Sequence, residues 1–395
     1  MRLLFIADGR SQIANNWIDY FVERGDEVHL VSTFDCIPEY ELESYNFIPV
    51  AYSQVKKRTT QGKGNSTYQG FLWSSSFVNL RTSARRYLAP LTIPTAADKL
   101  RKLINRIQPD LIHAMRIPFE GILAATALQE KRDPPLITSV WGNDFTLHAG
   151  TTHWMRRYTR QVMARTDGLH TDCHRDLRLA YQWGFSDVRP AIVLPGNGGI
   201  QIEMFYPPFN GSNLREDTVI NPRGFRAYIR NDTFFKAIPG ILARRPQTRF
   251  LCPGMSGEIQ AQRWIEELKV TAAVELLPSV SREEMAGLFR EAAIAVSPSI
   301  HDGTPNTLLE AMACGCFPVV GDLESLREWI EPGINGFLID PDDPSELAEA
   351  VIEAFEQPDL RLKARDHNQI LISERAEYRT AMKEAGEFYQ SLIGG

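Results

Sequence analysis

Two rhythms of apolar and polar positions alternate through the first half of this 395-residue chain. Residues 2–8 (RLLFIAD) form a continuous apolar run that stops at Asp8-Gly9. Trp17, Ile18, Tyr20, Phe21 and Val22 then recur at helical spacing until Arg24-Gly25, and a second apolar run, EVHLVST, follows. An unbroken apolar run reads as a strand buried on both faces, and a 3.6-residue period as a helix covering it. The chain therefore opens as β-α-β. A third strand is expected at NFIPVAY, a helix near 96–107, and strands at DLIHAM (110–115) and PLITSVWGNDF (135–145) on either side of a helix from about Phe119. Two further helix-strand pairs end in GLHTDC and VRPAIVLPGNGG. Glycine and proline crowd 195–213 and mark a linker. Beyond it TRFLCPG, AVELLPS, AIAVSPS, FPVVGD and GFLID repeat the alternation. A last helix over about 375–393 places Tyr378, Met382, Ala385, Phe388 and Leu392 on one face.

Strands alternating with helices make parallel sheets, which bind ligands beyond the carboxyl ends of their strands. The length exceeds one ordinary core, so two α/β domains are expected, over 1–200 and 217–374, with 375–395 as a terminal helix. His113, Arg116, Trp141, Asn143 and Asp144 all fall at such strand ends. For His113 a satisfied core histidine is an equal alternative. The first turn, ADGRSQIA, holds a lone Gly9 and no G-x-G-x-x-G, which argues against a dinucleotide-dependent dehydrogenase.

Composition narrows the class. Hydrophobic residues at 43% and charged residues at 23% suit a globular protein, and no apolar run reaches the length of about 20 residues that spans a bilayer. No leader is visible, so a cytoplasmic location is expected. Five scattered cysteines read as buried thiols rather than a disulfide framework or zinc site. The net charge of −6 is uneven: residues 1–200 hold 24 basic and 19 acidic side chains, net +5, and the remainder 19 and 30, net −11. Residues 51–97 hold seven basic residues and no acidic one, interleaved with Tyr52, Tyr68, Phe71, Trp73, Phe77 and Tyr87. That segment (52–87) is expected to receive an acceptor and, if the acceptor is lipid-linked, to attach the protein peripherally to an anionic inner membrane face; a solvated loop is the plain alternative. Nucleic acid is not an expected partner at a pI near 5.8.

The densest candidate chemistry lies at 297–310, SPSIHDGTPNTLLE. A strand ends at Ser299, Thr304 and Pro305 read as N-cap and first helical residue, and the amides of Asn306, Thr307 and Leu308 would face a phosphate beyond Gly303. Asp302 and Glu310 bracket this anion site and suit sugar hydroxyls better than phosphate, because like charges repel. In the second domain's opening loop Arg223, Arg226 and Arg230 stand between a strand and a helix, where planar guanidiniums can grip a diphosphate. No Asp-x-Asp or His-rich cluster of the kind a metal-dependent transferase needs stands at these candidate positions, so neither metal nor cofactor is expected beyond a nucleotide-sugar co-substrate.

The segment 297–320, with GFLIDP at 336–341, resembles the donor-site signature of retaining glycosyltransferases of family 4 (glycosyl transferases group 1), which have the GT-B fold: two Rossmann-like domains facing a cleft. Two acidic residues with seven between them flank the donor site in that family; here they are Asp302, where Glu is commoner, and Glu310. The resemblance implies that 1–200 binds the acceptor, that 217–374 binds the donor, and that the last helix crosses back to the first domain. It implies transfer with retention from a nucleoside diphosphate sugar, a UDP-sugar ahead of a GDP-sugar, to a glycan, lipid-linked or small-molecule hydroxyl. By the same resemblance the Gly9 turn and WGNDF line the cleft, Glu310 holds the ribose, Asp302 holds the donor sugar, and Arg226 and Arg230 hold the diphosphate. Asp144 joins Asp302, Arg226 and Arg230 as a catalytic candidate. A nucleotide-sugar epimerase or phosphorylase and a non-catalytic nucleotide-sugar sensor are the rival readings.

Overall fold

The structure is a computed structural model that describes residues 1–38, 40–50, 75–130, 133–208 and 217–394, with side chains from 91 onward in the helix that starts at Ser75. The chain divides into two compact units. The first comprises Met1–Asp172, Asp176–Asn197 and Met382–Gly395; the second comprises Cys173–Arg175 and Gly198–Ala381.

The first unit is built from β1 (Arg2–Ala7), α1 (Gln12–Glu23), β2 (Glu27–Ser32), β3 (Ser44–Phe47), α2 (Ser75–Ile107), β4 (Leu111–Ala114), α3 (Ile122–Ala127), β5 (Leu136–Val140), α4 (His153–Arg165), β6 (Gly168–Thr171), α5 (His174–Trp183) and β7 (Ala191–Val193). Among the described residues its seven strands pair in the order β3-β2-β1-β4-β5-β6-β7. Every pairing is parallel, as strands joined by crossover helices must be. Ser11 caps α1 by accepting from the Ala14 amide at 3.5 Å, and the helix lays Trp17, Ile18 and Phe21 against the sheet. Gly25, at φ +85°, turns the chain out of α1 into β2 in a conformation open to few other residues. The helix α2 begins at Ser75 rather than near residue 96.

The second unit holds β8 (Thr218–Ile220), α6 (Asn231–Arg244), β9 (Arg249–Cys252), α7 (Ile259–Glu267), β10 (Val274–Leu276), α8 (Arg282–Glu291), β11 (Ile294–Ser297), α9 (Asn306–Ala313), β12 (Phe317–Gly321), β13 (Phe337–Ile339), α10 (Pro344–Glu356) and α11 (Pro358–Arg375). Among the described residues six parallel strands pair in the order β10-β9-β8-β11-β12-β13. Two apolar clusters flank this sheet, one including Phe234, Phe235, Ile238, Leu347 and Val351, the other Phe289, Leu309, Met312 and Ile372. A capping box between Ser281 and Glu284 starts α8. The last helix, α12 (Tyr378–Ile393), begins among residues of the second unit, and from Met382 onward it belongs to the first. Two parallel-sheet Rossmann-like halves are the architecture expected from the alternating pattern. Among the described residues no helix is long and apolar enough to cross a membrane.

Candidate active site

In the second sheet β8 and β11 are neighbours although three helices and two strands separate them in sequence, so strand order reverses between them. Loops leaving such a pair diverge and open a crevice at the strands' carboxyl ends. The two loops are joined by backbone bonds: the Arg230 amide donates to the Pro298 carbonyl at 2.9 Å and the Ile300 amide to the Tyr228 carbonyl at 3.0 Å. Across this crevice Arg223 reaches both sides of the motif. Its Nη2 donates to Asp302 Oδ2 at 2.6 Å and its Nη1 to Thr307 Oγ1 at 3.0 Å. Ser299 Oγ also donates to Asp302 Oδ2, at 3.2 Å, and Ser325 Oγ to the Asp302 carbonyl at 2.8 Å. Arg223, Asp302 and Glu310 are all buried.

The helix α9 starts one residue later than the sequence suggests. Pro305 is the N-cap and offers no side-chain cap bond, while the Thr304 hydroxyl accepts from Trp329 Nε1 at 3.0 Å instead of capping the helix. The Leu308 amide donates to the Pro305 carbonyl at 3.0 Å, which removes it from the expected set of open amides. Asn306 and Thr307 remain in the open first turn, and Asn306 Oδ1 is buried without a hydrogen-bond partner among the described residues. Gly303 is buried between Asp302 and this turn. The Glu310 carboxyl lies 3.7 Å from Arg282 Nη2. Burial pushes its pKa up to about 7 even though Arg282 and Arg223 oppose the shift, because a carboxylate in an apolar surround loses its hydration.

Arg226 and Arg230 do not join this cluster. Arg226 Nη1 donates to the Tyr228 hydroxyl at 2.8 Å, and Arg230 Nε pairs with Asp342 Oδ1 at 2.5 Å. Both line a separate cavity of about 450 Å³ with Asp232, Lys236 and Trp264. Arg223, one of three loop guanidiniums in sequence, is the one that bridges Asp302 and Thr307.

In the first unit a cavity of about 290 Å³ lies beyond β1, β4 and β5, lined by Asp8, Arg10, Arg116, Glu120, Trp141 and His148 among others. Arg116 stands over the Trp141 ring, 5.3 Å from its centre. Arg10, Glu120 and His148 were missed in the sequence, where no motif carries them; Glu120 follows Arg116 by four residues and was the one legible cue. Its carboxylate accepts from Thr33 Oγ1 at 2.6 Å and from the Phe119 amide at 2.7 Å, and burial raises its pKa against the pull of Arg116.

Three candidates of the first unit take other positions. Asp144 is fully buried and accepts from Arg116 Nη2 at 3.1 Å, the Ile117 amide at 3.0 Å and the Trp141 amide at 3.3 Å. A carboxylate so engaged anchors the turn and holds Arg116. Asn143 contributes its carbonyl to the amides of Leu147 and His148 at 3.0 and 3.1 Å. Gly9 sits where a Cβ would come within 2.5 Å of Cys36 Sγ, so its lack of a side chain serves packing under the loop after β2.

His113 is a core histidine. Its Nε2 and Ser139 Oγ are 2.8 Å apart, Ser139 Oγ and His170 Nδ1 are 2.8 Å apart, and His170 Nε2 meets the Leu194 carbonyl at 3.0 Å. Its Nδ1 bonds the Tyr389 hydroxyl, which in turn accepts from Trp17 Nε1 at 2.7 Å. Burial drives the pKa of His113 well below the usual imidazole range.

A family model described as Glycosyl transferases group 1 matches residues 206–369, and one described as Glycosyl transferase 4-like matches residues 72–172. A D-inositol 3-phosphate glycosyltransferase of Paenarthrobacter aurescens is 27% identical over 72% of this chain and 75% of its own length. Another, from Corynebacterium jeikeium, is 33% identical over 32% of each chain, so that alignment spans about a third of the relative. Among solved structures, sucrose-phosphate synthase from Thermosynechococcus elongatus superposes with a TM-score of 0.75 at 14% identity over 100% of both chains. Anabaena HepE in complex with UDP does so with a TM-score of 0.71 at 15% identity, over 99% of this chain and 100% of its own. The two model matches fall one in each half of a pair of Rossmann-like units, and the chain belongs to the group 1, family-4-type glycosyltransferases with the GT-B fold.

Proposed function

We propose that this protein transfers a sugar from a nucleoside diphosphate sugar to an acceptor hydroxyl, with retention at the anomeric carbon and without a metal ion. The observation that carries this reading is Arg223, buried at the strand-order reversal and bridging Asp302 to the first turn of α9. Breaking the anomeric carbon–oxygen bond leaves a diphosphate anion, so preorganised donors at the leaving group are the main contribution expected of the protein. Arg223, with the open amides of Asn306 and Thr307 at the positive end of α9, fits that task. The role expected for Arg226 and Arg230 thus passes to Arg223. Glu310 would take the ribose hydroxyls and the free oxygen of Asp302 a hydroxyl of the donor sugar. As the bond breaks, the acceptor oxygen bonds the same face of the anomeric carbon and the departing diphosphate takes its proton.

The cavity of the first unit suits the acceptor: Trp141 offers an apolar ring face and Arg10, Arg116 and Glu120 offer polar groups. The UDP and UDP-glucose complexes of HepE make uridine nucleotides the first donors to try. Thermal-shift measurements against UDP-, GDP- and ADP-sugars, followed by turnover with excess EDTA, test the reading. A stabilising nucleotide sugar with EDTA-resistant transfer supports it; full loss of activity on chelation, restored by magnesium, refutes the leaving-group site.

A further inference from the structure

Glu310 is 8% exposed, and its carboxylate accepts no hydrogen bond among the described residues. That sets it apart from Asp302, whose Oδ2 accepts from both Arg223 and Ser299. A buried carboxylate without donors is costly, and burial drives it toward the neutral acid. In that form one oxygen carries a proton, and the two oxygens are no longer both free to accept from a vicinal pair of hydroxyls. What opposes neutralisation is positive charge. Arg282 of α8 and Arg223 of the loop after β8 are the charged groups that act on Glu310, and Arg282 is the stronger.

Arg282 is the first residue of α8, directly after the cap Ser281. A cation in a first turn opposes the helix dipole, so the helix gains nothing from it. The side chain is instead fixed beside α9. Its Nη1 donates to Gln201 Oε1 at 3.1 Å, and the guanidinium stands 5.3 Å from the centre of the Phe205 ring. Its Nη2 lies 3.7 Å from Glu310 Oε1, beyond hydrogen-bond reach. At that distance the guanidinium favours the anion by charge and leaves both carboxylate oxygens open to a ligand's hydroxyls. We propose that Arg282 is a positioning residue of the donor site, the fixed cation that keeps the buried Glu310 carboxyl available as an anion to the ribose hydroxyls, acting through Glu310 rather than on the nucleotide. The ribose role of Glu310 rests on the sugar-transfer reading; the hold of Arg282 on Glu310 does not.

The test has two readouts on the full chain. Followed by carbon-13 NMR with labelled glutamate, the Glu310 carboxyl should titrate at about 7 in the parent and about one unit higher in R282Q. UDP-glucose, which lacks the terminal phosphate ionisation near about pH 6, then reads the consequence in titration calorimetry. R282Q should bind it about fivefold more weakly than the parent at pH 7 and within about twofold at pH 8.5, because the ionised fractions of Glu310 converge there. R282K keeps the charge and should titrate within about half a unit of the parent. R282M, which keeps bulk against Phe205, is the second neutral variant and should shift as R282Q does. R290Q removes a charge from the same helix beside Tyr206 and should leave the midpoint in place. An arginine that only supports the fold, or one that bonds the nucleotide directly, would lose affinity equally at every pH, and that result overturns the proposal. So does an unshifted Glu310 midpoint in the neutral variants, or an equal shift in R290Q. A shifted midpoint in a chain whose parent does not bind UDP-glucose would support the hold on Glu310 and count against the sugar-transfer reading.

Discussion

Glu310 is the residue whose environment most directly constrains the chemistry. With a folded pKa of about 7 against an ordinary 4.5, it binds more protons in the folded than in the unfolded chain between those values. Its contribution to stability is therefore fully present below pH 4.5 and is lost as pH rises through 7, a swing of about 3 kcal/mol at most. Glu310→Gln should flatten that part of the pH–stability curve, as read by denaturant melts across the window. Hydroxyl donors on a bound ribose favour the ionised form, so UDP binding should tighten as pH rises through 7 and release protons. Calorimetry in buffers of different ionisation enthalpy measures this, and proton uptake would argue against the ribose role. For Arg223, replacement by Lys removes the planar fork that spans Asp302 and Thr307, and UDP affinity should fall on the order of tenfold or more in titration calorimetry. The Asp302 and Glu310 pair could be read in the sequence because one strand-turn-helix carries both. Arg223 could not be singled out from Arg226 and Arg230, since its partner depends on which strands become neighbours. The burial of His113 and Asp144 was not legible, because strand ends hold both ligand groups and core polar groups, and sequence position does not say which way a side chain faces.

At the scale of elements, the alternation of apolar runs and helical periods located nearly every strand, because strands buried on both faces leave an unbroken signal. Ends of elements were less legible. The start of α9 moved by one residue because Trp329, distant in sequence, claims the Thr304 hydroxyl that would have capped it. The last residue of β12, Gly321, shows a tighter constraint: a Cβ there would lie 2.4 Å from the Ser299 carbonyl oxygen. Gly321→Ala must therefore displace the loop whose Ser299 and Asp302 side chains hold one another. The expected cost is about 1–3 kcal/mol of stability, as for other overpacked positions, together with weaker nucleotide binding. A melt and a UDP titration on the same variant check both, and unchanged binding would show that the loop can yield without moving Asp302.

Over the whole molecule, the two sheets and their parallel strands were legible from period alone, whereas the pairing of chain ends was not. The β1 and α1 region and the last turns of α12 share a core through Phe21 and Tyr389, whose rings stack 4.6 Å apart. Tyr389→Phe should cost about 1–3 kcal/mol, because Trp17 Nε1 and His113 Nδ1 would both lose a buried partner. The bonds around that tyrosine also have a fixed polarity. The Leu194 carbonyl can only accept, so His170 carries its proton on Nε2; Ser139 must then donate to His170 Nδ1 and accept from His113 Nε2, which leaves His113 Nδ1 to accept from Tyr389. Both imidazoles are thereby held as the same neutral tautomer from the middle of the sheet out to the carboxyl-terminal helix. The Nδ1 resonance of His113 in a nitrogen-15 spectrum thus becomes a spectroscopic gauge of whether that helix is seated, readable in the intact protein without a label on the helix itself.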